Sequence, residues 1–235
     1  CSLARSLVPG HMKVVLGRLP LRREFQILHE EQASPNAMDD IRDTAAAIRG
    51  KTDALAVWMK TQEAPEEFYP DILAAYQIAK SSGLELWLEA AAWEYVEEPL
   101  RSAYFLRLMA LCQSLGVRLF WWNGPAERGG LLDGFFDPTP MFFAAQSWQT
   151  LVNNPSGPSV TILDEVVRLM WTDNEGKDYF IWWRAAADLK IKSIPRPEGF
   201  PENTLSADPL HARLLNLEKA HRLPLCCWPL IMKTV

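Results

Sequence analysis

Apolar residues in the first two-thirds of the chain fall into short continuous runs that alternate with stretches of helical spacing. "KVVLG" (13–17) is a β-branched run stopped by glycine, which predicts a buried strand. "SPNAMDDIRDTAAAIRG" (34–50) offers Ser or Asn as a cap, acids in its first turn, and Met38, Ile41, Ala45 and Ile48 on one face. It predicts a helix closed by Gly50. "DALAVWM" (53–59) predicts a second strand, and "YPDILAAYQIAKSSG" (69–83) a second helix with proline near its start. "LELWLE" (84–89) follows as a third strand and "EEPLRSAYFLRLMALCQSLG" (97–116) as a long helix. "VRLFWWNG" (117–124) is a fourth strand, ending near residue 122, and "TPMFFAAQSWQTLV" (139–152) a fourth helix. Strands joined through helices in this way lie parallel, and near-continuous apolar strands fit a sheet covered on both faces.

The pattern changes at "NNPSGPS" (153–159), a turn-rich linker. Beyond it "VTILDEVVRLMWT", "DYFIWWRA" and "LKIKSI" are β-prone, "DNEGKD" (173–178) signals a hairpin, and "LPLCCWPLIMKTV" closes the chain as one more strand. The expected plan is a domain of parallel (β/α) units at 13–152 and a small, mainly antiparallel β-domain at 160–235. Residues 1–12 read as a tag or disordered start, because "SLVPGHM" (6–12) resembles a cloning scar.

The 235 residues carry a formal net charge of −5, and a protein that binds nucleic acid needs a basic footprint this chain lacks. The apolar stretch near 103–122 is interrupted by Arg107, Gln113 and Arg118, so no membrane span is expected. Cys1, Cys112, Cys226 and Cys227 show no C-x-x-C spacing, which favours a reduced, cytoplasmic protein over a disulfide framework. A secreted form is the alternative if sequence precedes residue 1. His11, His29, His211 and His221 are scattered without ligand spacing, and no P-loop, G-x-G-x-x-G or G-x-S-x-G is present. Neither a metal nor a cofactor is expected.

Candidate chemistry sits on the third strand. Glu85, Trp87 and Glu89 alternate onto one face and Leu84, Leu86 and Leu88 onto the other. A buried, unpaired carboxylate at Glu89 would be expensive, so it must be solvated, paired or used. Trp121 and Trp122 lie near the end of the next strand and Trp93 just past Glu89, where an aromatic ring could stack on a sugar. For each the alternative is core packing, and because neighbours on a strand face opposite ways, one of Trp121 and Trp122 belongs to the core. Asn123 could donate to a substrate hydroxyl or serve as a turn residue.

Taken in order, "LELWLE", "CQSLGV", "RLFWWNG", "GGLLDGFFDPTPMFFAAQSW" (129–148) and the tail "LPLCCWPLIM" resemble the C-terminal half of a retaining glycoside hydrolase of the (β/α)8-barrel clan with its trailing β-domain. In that clan the seventh strand ends in the nucleophile, and Glu89 is the match. The Thr-Glu common there is Leu-Glu here, the usual polar partner on the sixth strand is absent from "DALAVWM", and no Asn-Glu acid/base motif lies upstream of residue 50. Only Glu30 or Glu31 in "ILHEEQ" (27–32) could supply a second carboxylate.

The resemblance implies hydrolysis of a β-linked glycan by double displacement with Glu89 as nucleophile, and a carbohydrate as the substrate. The alternative is a non-catalytic carbohydrate-binding or interaction module on the same scaffold. A partial barrel also leaves sheet edges and apolar surface, so self-association, or packing of the β unit against the open side, is expected.

Overall fold

The computed structural model describes residues 12–22, 36–124, 127–152, 159–163, 165–172, 176, 178–188, 190–195, 204–208, 213–216, 222–225 and 229–234. Strands β1 (Val15–Pro20), β2 (Ala54–Thr61), β3 (Glu85–Ala92) and β4 (Arg118–Trp121) pair in that order, all parallel. Between and after them run helices α1 (Ala37–Ile48), α2 (Tyr69–Ser81), α3 (Leu100–Leu115) and α4 (Pro140–Leu151). The α/β order read from the sequence holds, as the parallel sheet of a partial (β/α)8 barrel.

Local chemistry explains these elements. In α1 the Asn36 side chain accepts from the Met38 amide at 3.0 Å, and Ala37, Ile41, Ala45 and Ile48 form its buried stripe. In β3, Leu86, Leu88, Ala90 and Ala92 are buried on the helix side while Glu85, Trp87 and Glu89 are part-exposed on the other face. The strand runs three residues past the end predicted for it. Ala90 to Ala92 pair with Met59 to Thr61 of β2, so Glu89 sits mid-strand and not at the tip.

A second layer is antiparallel. Strands β5 (Ser159–Leu163), β6 (Val166–Thr172), β7 (Asp178–Arg184), β9 (Thr204–Asp208), β10 (Arg213–Asn216) and β12 (Leu230–Thr234) form a sheet in the order β10-β9-β12-β7-β6-β5. Strands β8 (Lys192–Pro195) and β11 (Arg222–Leu225) pair separately. Two runs read as single strands are each split: Leu163 pairs with Val166 across a turn at Glu165, whose φ is +65°, and the last run is divided between β11 and β12. Cys226 and Cys227 lie outside the described residues.

Helix α3 is the hinge of the architecture. Most of its circumference is buried, which is why it shows no amphipathic stripe. Tyr104, Phe105, Leu108 and Cys112 pack into the core under the parallel sheet. Ala103, Leu106, Ala110 and Leu111 pack with Trp148 of α4 and with Val167, Ile181 and Trp183 of the antiparallel sheet. The β unit therefore covers the outer, helical side, and the expectation that it would close the open side is corrected. The helical face presents Ala103, Leu106, Ala110 and Leu111, and docking of the β unit there buries them.

Inside this seam lies a polar cluster. Arg107 has a 0% exposed side chain and forms a two-pronged ion pair with Glu66, in the 3-10 turn Pro65–Glu67. Its Nη1 donates to the Ala186 carbonyl at 3.1 Å, and Trp183 Nε1 donates to Glu66 at 2.6 Å. The loop after β2, the helix after β3 and the antiparallel sheet are thus joined by one buried, paired charge. Among the described residues no helix is long and apolar enough to cross a membrane, and no group of side chains could hold a metal ion.

Candidate functional site

The inner face of the parallel sheet is built by register. Trp58 of β2 and Phe120 of β4 lie level with Glu89 on either side, and Ala56 and Arg118 lie level with Trp87. The face is open: Phe120 is 40% and Trp122 60% exposed. Trp122 follows the last residue of β4 and extends the ladder by donating its amide to the Ala90 carbonyl at 2.8 Å. It lies on the same side as Glu89.

Glu89 is neither orphaned nor sealed in. Its side chain is 24% exposed, and Arg18 Nε donates to its Oε2 at 3.1 Å. The same guanidinium lies 4.9 Å from the Trp122 ring centre. Arg18 reaches this place through a bulge. The pairing of β1 with β2 slips between Gly17 and Leu19, leaving Arg18 as the extra residue, at φ +79°. Gly17 is required beside it, because a Cβ there would lie 2.3 Å from the Ala56 Cβ. A left-handed arginine costs backbone energy, and here the bulge aims its side chain across β2 to the carboxylate. Sequence reasoning passed over Arg18, whose only signal was a glycine followed by a cation inside a strand pattern.

Toward the start of the strands a second charged group forms. Lys13 and Arg118 both pair with Glu85, the latter at 3.4 Å, and Trp87 Nε1 donates to Glu85 at 3.2 Å. The hydrogen bond from Lys13 is the main reason the Glu85 carboxyl sits below the usual range. Trp87 and Phe120 pack at a centroid distance of 4.9 Å.

The remaining candidates separate. Trp93 is fully buried at φ +61°, donates Nε1 to the Glu63 carbonyl at 2.8 Å, and stacks on Trp121 at 5.4 Å. Trp121 packs edge-on against Phe105 and donates to the Gly129 carbonyl at 2.8 Å. These two rings belong to the wall under the sheet, and the stacking role expected of them does not fit that placement. Asn123 is likewise buried. Its Oδ1 accepts from the Ala92 amide at 3.2 Å and its Nδ2 donates to the Arg128 carbonyl at 2.9 Å, so its amide organises the loop after β4. Trp122 keeps an open face. Glu30 and Glu31 lie outside the described residues.

The strand extension brings forward another carboxylate. Glu94 follows the true end of β3 and pairs with Lys60 of β2 at 3.2 Å, with the exposed Tyr95 next to it. Recognising Ala90 to Ala92 as strand would have pointed to it. The open face thus holds a carboxylate fixed by a guanidinium beside exposed aromatic rings, an arrangement that can present a nucleophile or hydrogen-bond a polyol.

No family model matches the sequence, and no curated protein does so at a significant level. Among solved structures, a family 39 glycoside hydrolase from the gut symbiont Bacteroides cellulosilyticus superposes with a TM-score of 0.65 at 14% identity, over 86% of this chain and 48% of that one. An α-amylase from Anoxybacillus reaches a TM-score of 0.37 at 8% identity over 84% of this chain and 62% of that one, too low to support an argument. The chain therefore shares the fold of the family 39 enzyme and spans about half its length.

Proposed function

We propose that the chain works as a glycoside hydrolase, or as the C-terminal part of one, on a β-linked glycan by a retaining double displacement. Glu89 is the nucleophile. In the first step a Glu89 oxygen bonds to the anomeric carbon while the bond from that carbon to the leaving oxygen breaks, and a second carboxyl gives that oxygen its proton. In the second step the second carboxyl, now ionised, takes a proton from water, whose oxygen bonds to the same carbon as the glycosyl ester breaks; Glu89 returns as carboxylate and the second carboxyl as acid. Glu30 or Glu31 is the proposed acid/base. Trp122 offers the stacking surface and Arg18 orients the carboxylate.

The observation that carries this reading is the placing of Glu89 on the open face beside Arg18 and Trp122. A specific observation favours the second reading, a non-catalytic carbohydrate-binding module. Glu89 stands mid-strand in an ion pair, whereas barrel active sites lie at the C-terminal ends of the strands. The test compares Glu89→Gln with wild type on a panel of aryl β-glycosides, with glycan binding measured alongside. Glutamine keeps the shape but cannot form the ester, so the rate is expected to fall by several orders of magnitude while binding persists. Equal rates remove Glu89 from catalysis, and binding without turnover in either protein establishes the module.

A further inference from the structure

The loop between β2 and α2 is bonded on two sides. On one side it meets the end of β3. Trp93 donates its amide to the Thr61 carbonyl at 2.9 Å and its Nε1 to the Glu63 carbonyl at 2.8 Å, and the Tyr95 amide donates to Gln62 Oε1 at 3.0 Å. On the other side Glu66 accepts from Trp183 Nε1 of β7 at 2.6 Å and holds the two-pronged pair with Arg107, which also reaches the Ala186 carbonyl just past β7. Between the two sides the loop is short and stiff. The Glu67 amide donates to the Ala64 carbonyl and the Phe68 amide to the Pro65 carbonyl, both at 3.1 Å, and Pro65 and Phe68 are buried.

Trp93 sits at φ +61°, a left-handed turn that costs energy in a bulky residue and persists only where its surroundings hold it. Its amide and its indole both hang on this loop. The turn, and with it the placing of Glu94 and Tyr95, is therefore as firm as the loop's own anchorage. Those two residues follow the C-terminal end of β3, the end at which a (β/α) barrel carries its sites.

We propose that the antiparallel sheet is a positioning element for that end of the parallel sheet. Trp183 and Arg107 hold Glu66, Glu66 holds the loop, and the loop holds Trp93, Glu94 and Tyr95. Glu66, Arg107 and Trp183 are thus positioning residues that act through the loop. The relay runs through bonds inside the seam and along the loop, so it stands whatever covers the sheet edges or the inner face. It is also independent of whether Glu89 is catalytic.

A cluster that contributed stability and nothing more would loosen both ends of β3 alike, and amide exchange on the 235-residue chain separates the two cases. The internal reference is the Glu85 amide, which donates to the Asp53 carbonyl at 3.0 Å. It lies roughly 26 Å along the strand from Trp93, at about 3.3 Å per residue. Trp183→Phe keeps a ring in the seam and removes the donor to Glu66. Exchange at Trp93 and Tyr95 is expected to rise about tenfold or more, while exchange at Glu85 changes by less than about twofold. Equal acceleration at both ends, or none at either, overturns the proposal. A reading on wild type stands even if the variant misfolds: as urea is raised below the unfolding transition, the Trp93 amide and the Trp183 indole N–H are expected to exchange through one shared opening. A Trp93 amide that opens independently of that indole overturns the proposal as well.

Discussion

Replacing Glu66 by methionine would leave Arg107 charged in a seam where its side chain is 0% exposed. Two hydrogen bonds from the guanidinium and one from Trp183 would lose their acceptor, and among the described residues the Ala186 carbonyl and the Tyr104 ring, 4.8 Å away, would remain near the charge. Breaking a buried pair by removing one partner costs about 3–5 kcal/mol. In a chain of this length each kcal/mol lowers the melting temperature by roughly 2–4 °C, so a fall of about 6–20 °C is expected. Thermal unfolding followed by circular dichroism measures it. The triple variant Glu66→Met, Arg107→Met, Trp183→Phe removes the three polar side chains together, leaving the Ala186 carbonyl, and should recover most of the loss, since apolar replacement of a buried network can be nearly neutral. A single substitution costing under about 1 kcal/mol would refute the reasoning, as would a triple variant as unstable as Glu66→Met alone.

Gly17→Ala forces a Cβ within 2.3 Å of Ala56 and should loosen the pairing of β1 with β2, at a cost of about 1–3 kcal/mol. Urea denaturation reads that cost, and an unchanged midpoint would contradict the close approach. Trp93→Ala opens a cavity in the wall between Trp121 and Tyr104 and should cost about 3–5 kcal/mol by the same assay, whereas an exposed stacking residue would cost little. Burial pushes the Cys112 thiol up to about 12 from 9.0. The unfolded chain therefore loses this proton first, and the stability contributed by the neutral buried thiol drains away as pH rises from about 9 to about 12. Cys112→Ala should flatten that alkaline slope, and parallel pH profiles for the two proteins would exclude the thiol as its cause.

The parallel sheet could be read from the sequence because its strands are continuous apolar runs set between helical spacings. The limits of that reading lie in particular residues. Alanine carries little strand preference, so Ala90 to Ala92 looked like the end of β3, yet pairing with β2 makes them strand and moves Glu89 to the middle. Trp93 beside acidic neighbours looked like a ring offered to a ligand, but a left-handed turn at φ +61° folds it under the sheet. Asn123 carries its meaning in bonds to Ala92 and Arg128 that only the folded loop brings within reach. Arg18 is the largest gap. A cation in a short strand gives no sign that a bulge will carry it across a neighbour to the carboxylate matched to the nucleophile. The helical pattern of α3 was plain, but that its two sides face two different sheets is a tertiary fact.

The central claim is that Glu89 forms a glycosyl ester. A 2-deoxy-2-fluoro β-glycoside with a dinitrophenolate leaving group tests it directly, because so good a leaving group departs without a proton and ester formation then needs no acid. Intact-mass spectrometry, followed by peptide mapping, is expected to find one fluoroglycosyl adduct on wild type, on the peptide that contains Glu89, and none on Glu89→Gln. An adduct on another carboxylate such as Glu94, or none on folded wild-type protein that binds the glycoside, would contradict the account.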